Sequence, residues 1–211
     1  MAVTEIVDLN TDVLPYLNMT AIPADGGTKL QGIIDTATAI IEDMVGHVVN
    51  VTVGPEYYDG GDVALYLRQT PVLSITSIIE TIGFVNYTLT LQPVGSPVDN
   101  YGYTIDDARF GKVTRRSAGS QPFEFYDNTG NIAVTYVVGL ASVPQNIKTA
   151  CLELIRHIYQ FGQQAFGPSS SYVPGVAQDD DMMPVETPSG YLVPNRVAEL
   201  CQPNRRLPGF S

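Results

Sequence analysis

Tryptophan is absent from these 211 residues, and histidine and cysteine occur only twice each. Each scarcity removes a class of protein. Two histidines, His47 and His157, cannot supply a multi-histidine metal centre or an HExxH motif. Cys151 and Cys201 lie far apart without a paired-ligand spacing, so neither a disulfide framework nor a zinc site is written here. Basic residues number 11 against 22 acids, and the shortage is concentrated. Residues 1–108 hold fourteen acids against Lys29 and Arg68, a net of −12, whereas residues 109–211 hold eight acids and nine bases, a net of +1. A nucleic-acid reader needs a basic stripe, and the first half offers the opposite. No run of about eighteen apolar residues occurs, so no membrane span is expected. The opening MAVTEIVDLN has no basic segment followed by an apolar run, so no signal peptide is expected and the chain reads as intracellular. Asn18, Asn50 and Asn86 then match glycosylation acceptors by pattern alone.

Catalytic constellations are missing as well. No GxxxxGK[ST], no GxSxG and no GxGxxG in a βαβ setting appears, and no Ser/His/Asp set stands out. His47 follows a helix end, where a cation is favourable, and His157 sits beside an apolar stripe as a partly buried packing residue. Asp179, Asp180 and Asp181 lack the Gly and Glu of a calcium loop and read as a solvated run. Glu42 and Asp43 are neighbours on a helix and point apart, while Asp59, Gly60, Gly61 and Asp62 read as a turn. No enzyme, metal or cofactor is expected.

What is present is patterned. The chain is 44% hydrophobic, enough for a sizeable core. Thr11 is a candidate cap for a short helix through Pro15, and AIPADGG marks a loop. Thr28 and Gln31 make a capping-box pattern ahead of Leu30, Ile33, Ile34, Ala37, Ile41, Met44, Val45 and Val48, which recur at helical spacing up to Gly46 and just beyond. From about residue 49 to 139 the period changes to 2. The segments VNVTV, VALYL, VLSITSII, YTLTLQ, YGYTI, GKVTRR and IAVTYVV read as short strands between turn signals, predicting a compact antiparallel sheet, sandwich or small barrel. Pro144 then suits the first position of a second helix, whose stripe is Ile147, Cys151, Leu154, Ile158 and Phe161.

The expected class is therefore α+β: a small bundle of long helices, about 28–47 and 144–166, with the sheet as an insertion and an extended Pro-rich C-terminal arm. Residues 1–166 read as one domain and 167–211 as the arm, which holds seven of the fifteen prolines. Within the arm, SGYLVPNRVAEL reads as a docking segment with Val197 and Leu200 on one side of a short helix begun by Pro194. Arg109, Lys112, Arg115 and Arg116 are the basic cluster, on a predicted hairpin. They read either as charges guarding an edge strand or as a contact for an acidic surface such as the first half of another copy.

The order of these elements, with the YYDG turn, TPVLSITSI and VTYVVGLASVPQNIKTACLEL, resembles the head–tail adaptor (connector) proteins of long-tailed double-stranded DNA bacteriophages over roughly residues 4–166. The LVPNRVAEL tail is similar to adaptors of actinobacterial phages. The resemblance implies a structural virion protein: a homo-oligomeric ring of about twelve subunits beneath the portal vertex, between portal and stopper or tail-terminator proteins. Double-stranded DNA would pass through its lumen. About twelve copies at −11 each sum to roughly −130, a collar that repels phosphates. The resemblance puts portal or neighbour docking at Tyr191, Leu192, Val193, Val197, Leu200, Arg205 and Arg206, and gives the basic cluster an inter-subunit role. It implies no membrane partner. A stopper or tail-completion ring is the nearest alternative. A carbohydrate-binding module using Tyr57, Tyr58, Tyr101 and Tyr103 is a more distant one.

Overall fold

All seven segments with strand period form strands, because they are rich in branched and aromatic residues and are bounded by turn residues. They are β1 (Val51–Tyr58), β2 (Ala64–Tyr66), β3 (Val72–Ile82), β4 (Val85–Leu91), β5 (Gly102–Asp107), β6 (Lys112–Arg116) and β7 (Ile132–Val138). The computed structural model describes residues 3–22, 26–92, 101–119, 121–164, 185–188 and 190–204. These strands make one curled, half-barrel sheet in the order β1-β7-β3-β4-β5-β6-β2. β7 lies inside the sheet next to the β1 edge, antiparallel to both β1 and β3, and its Ile132, Val134, Tyr136 and Val138 all point into the core. Gly54 makes the bulge that bends β1. Its φ is +112°, and a Cβ there would stand 2.5 Å from the Val134 carbonyl oxygen.

The chain divides into two compact units, one of residues 1–3 and 49–141 and the other of 4–48 and 142–211. The sheet unit owns a complete core: Ile78, Leu89, Val113, Phe125 and the β7 row are buried against one another, with Leu65 and Leu67 closing the end near β2.

In the other unit, a π-helical turn (Leu9–Val13) leads into the single turn α1 (Leu14–Tyr16). The cap is Asp8, not Thr11: the Asp8 carboxylate accepts the N–H groups of Asn10 and Thr11, and these bonds hold it below the usual carboxylate range. Helix α2 (Gly26–Val45) begins before Thr28, and the Gln31 amide donates to Asp35, so the capping-box pattern is not used. Gly46 closes the helix with a φ of +87°, its N–H bonded to the Glu42 carbonyl. Helix α3 (Gln145–Gln164) starts on the Pro144 carbonyl, one position later than the sequence predicts. A two-stranded ladder, β8 (Val185–Glu186) and β9 (Leu192–Val193), precedes α4 (Asn195–Cys201). Helix α3 packs against α2 and α4. Leu30, Ile34, Ile41, Ile147, Cys151 and Leu154 are buried there, whereas Ile33 and Ile158 are half-buried and His157 is exposed.

The expected class needs correction. The chain is not a bundle of long helices carrying a sheet insertion; its main element is the seven-stranded sheet, and the described helices are four, the longest of 20 residues. The sheet is also mixed: β4 and β5 run parallel at Thr90–Gly102 and Leu91–Tyr103. Helical stripes are conspicuous in sequence, but the inner-face residues of the strands suffice to make a core of their own.

Candidate interaction surfaces

The sheet unit's most unusual chemistry lies where β3, β4 and β6 meet the segment 121–126. Glu80 of β3 is wholly buried and faces Arg115 of β6, itself 5% exposed. One Glu80 oxygen accepts from Arg115 Nε at 3.1 Å and Nη2 at 2.7 Å, and the other accepts the Tyr126 N–H at 2.6 Å. The guanidinium stacks against aromatic rings, 4.6 Å from the Phe123 centroid, 5.4 Å from Tyr101 and 6.0 Å from Phe125. Tyr101 and Phe123 also tilt against each other at 5.6 Å. The pair is internally neutral and ties β3, β6 and the 121–126 segment together. Beside it opens a cavity of about 380 Å³ walled mainly by Ile82, Tyr87, Leu89, Tyr101, Phe123 and Tyr126.

This arrangement breaks up the basic cluster. Arg115 points inward because it shares the inner face with Val113, two residues earlier on the same strand. Lys112 lies 3.7 Å from Asp106, Arg109 is exposed, and Arg116 is half-buried. β6 is not an edge strand: it lies between β5 and β2, and the edges are β1 and β2. The four tyrosines of the carbohydrate reading do not share a platform either. Tyr103 is buried, and the Tyr58 hydroxyl, together with that of Tyr136, donates to Glu56. Burial and the neighbouring Glu56 push both phenols up. Tyr57 and Tyr101 remain exposed.

In the helical unit the docking segment divides in two. Val193 and Val197 are fully buried, Leu200 is half-buried, and its carbonyl accepts the Asn146 side-chain amide at 2.8 Å. Tyr191 and Leu192 face outward, Leu192 being 65% exposed. Arg196 reaches Glu153 at 3.4 Å, and Lys148 reaches Asp12 at 2.7 Å. Arg205, Arg206 and Asp179 to Asp181 lie outside the described residues. Both thiols are buried: burial pushes Cys151 up to about 12, with Cys201 adding to the effect and a hydrogen bond to Thr38 opposing it, and pushes Cys201 up to about 11.

Among the described residues no group of three or more His, Cys, Asp or Glu side chains could hold a metal, and no helix is long and apolar enough to cross a membrane. Glu80, Phe84, Tyr87, Phe123 and Tyr126 belong to no sequence motif. The signal that marks Phe84 and Tyr87 is the apolar alternation of Val85, Tyr87, Leu89 and Leu91, combined with a Phe in a turn; Glu80, Phe123 and Tyr126 carry no such signal.

Neither a family model nor a curated protein matches the chain. The fold is nevertheless one found in a particle neck. Among solved structures the chain is similar to one from the neck of an empty GTA particle, computed with C6 symmetry, at 16% identity and a TM-score of 0.52. That likeness covers 100% of this chain and 96% of the other, and it is a likeness of fold.

Proposed function

We propose that the protein is a structural component of the neck of a phage-like particle, a head-to-tail adaptor whose copies close into a ring at the portal vertex and join capsid to tail. The observation that carries this reading is the end-to-end likeness of fold to a neck chain of a GTA, a gene transfer agent. The resemblance of TPVLSITSI and the VTYVVG-to-VPQNIK join to head–tail adaptors supports the same assignment. The C6 symmetry of that neck supports a homo-oligomeric ring, which we take to be a dodecamer. In this reading Tyr191 and Leu192 are the docking residues that meet the portal or a neighbour, while Val193 and Val197 hold their segment in place from inside. Arg109 and Lys112 contribute a rim contact between copies. Stopper or tail-terminator proteins follow on the other side, and DNA passes through an acidic lumen. The chain performs no reaction, and its location is the virion neck.

Mass measurement and negative-stain imaging of the full chain, alone and mixed with portal assemblies, test the assignment. Rings of uniform diameter, free or seated on the portal, are expected. A strict monomer in both conditions overturns the ring reading. Rings that ignore the portal but seat on another neck ring reassign the protein as a stopper.

A further inference from the structure

The β3–β4 hairpin carries an inner face that outruns the core. Cross-strand pairs Ile78–Leu89, Glu80–Tyr87 and Ile82–Val85 put these six residues on one side of the sheet. Ile78, Leu89 and Glu80 are buried, but Tyr87 and Val85 on the same row are each about half exposed. The strand thus has the apolar alternation of a half-buried element, and much of its apolar side faces solvent. Beyond it, the two-residue turn of Gly83 and Phe84 holds the Phe84 ring wholly exposed. Nothing in hairpin chemistry asks for Phe there, since such turns favour Asn, Asp and Gly. Among the described residues no strand pairs with the outer edge of β4 before Thr90, and the aromatic cavity opens beside Tyr87, Thr88 and Leu89.

We propose that this face is an interface between copies of the chain, in which Phe84 at the hairpin tip of one copy seats in the Tyr87, Tyr101, Phe123 and Tyr126 cavity of the next. The inference rests on the ring reading above. Two arguments select a second copy as the occupant. The first is charge. Residues 1–108 of each copy carry a net −12, so surfaces drawn from them repel those of a second copy, whereas the cavity walls expose one charge, Glu124, because Arg115 is neutralised by Glu80. The second is the fit between the two features. The Phe84 ring, the most exposed large hydrophobic group among the described residues, and an aromatic-walled cavity of about 380 Å³ are complementary in size and stacking chemistry. Knob and cavity are offset along β4 by three to five residues, roughly 10–16 Å at about 3.3 Å per residue. The contact therefore joins unlike patches, the kind that repeats head to tail and closes into a ring where the rotation between copies closes.

Two variants of the full chain test this: Phe84→Asn, which a two-residue turn accepts, and Tyr87→Thr, which keeps a strand former and removes a cavity wall. Ring formation is followed by mass measurement under the conditions in which the unaltered chain assembles, with circular dichroism as the folding control. Both variants are expected to keep the unaltered spectrum and unfolding midpoint, and to need at least tenfold more protein for half-assembly. Phe84→Tyr is expected to assemble as the unaltered chain does. Rings at the unaltered concentration from either Phe84→Asn or Tyr87→Thr overturn the interface while leaving the ring reading standing. Failure of the unaltered chain to form rings, alone or on portals, overturns both.

Discussion

Replacing Arg115 by Met keeps an unbranched side chain of similar reach and removes only the charge and the donors. What is left behind is Glu80, wholly buried, having lost both guanidinium contacts and keeping only the Tyr126 N–H at 2.6 Å. An uncompensated buried carboxylate of this kind costs about 3–5 kcal/mol. The three aromatic contacts of the guanidinium add to the loss. The double variant Glu80→Leu/Arg115→Met removes both charges together, and an apolar replacement of a buried pair is often close to neutral, so most of that deficit is expected to return. Urea unfolding followed by far-ultraviolet circular dichroism measures each variant, and the near-ultraviolet tyrosine signal draws eight of its twelve tyrosines from the sheet unit. Arg115→Lys is expected to fall in between: the charge stays, but the fork that engages Glu80 through Nε and Nη2 is gone. A cost below about 1 kcal/mol for Arg115→Met, or a double variant as costly as the two single ones added, would refute the claim that the pair is desolvated and coupled.

The C-terminal segment offers a contrast between neighbours. Val197→Ala is expected to destabilise the helical unit by about 1.5–3 kcal/mol because its side chain is fully buried. Leu192→Ser is expected to stay within about 0.5 kcal/mol of the unaltered chain in urea unfolding while weakening portal docking in a pull-down. The buried thiols give a pH dependence. Their folded values of about 12 and 11 lie above the ordinary 9, so between these limits the unfolded thiols ionise while the folded ones stay protonated. Stability should therefore be intact below pH 9 and fall as pH rises, by about 1.4 kcal/mol per pH unit for each thiol. Ala substitution at Cys151 and Cys201 should flatten that slope, and both native thiols should resist a thiol reagent at pH 8 until urea is added.

Local elements were legible from the residues because their causes are local. Runs of branched and aromatic residues bounded by turn residues, most of them alternating, mark the seven strands, and the stripe ending at Gly46 marks α2, since neither pattern needs a partner to be recognised.

Tertiary structure decided everything that depends on which strand lies beside which. The parallel β4–β5 step, the interior place of β6 and the inward turn of Arg115 onto Glu80, thirty-five positions away, follow from long-range pairing that no window of sequence contains. The same holds for Val193 and Val197, whose apolar character is equally consistent with docking outside or packing inside. It holds again for Tyr87: its alternation predicts a covered face, and only the three-dimensional path of the β3–β4 hairpin carries that face beyond the core. Secondary structure is set by spacing along the chain. Surfaces that meet a partner are set by what the fold leaves uncovered, and that depends on every other strand at once.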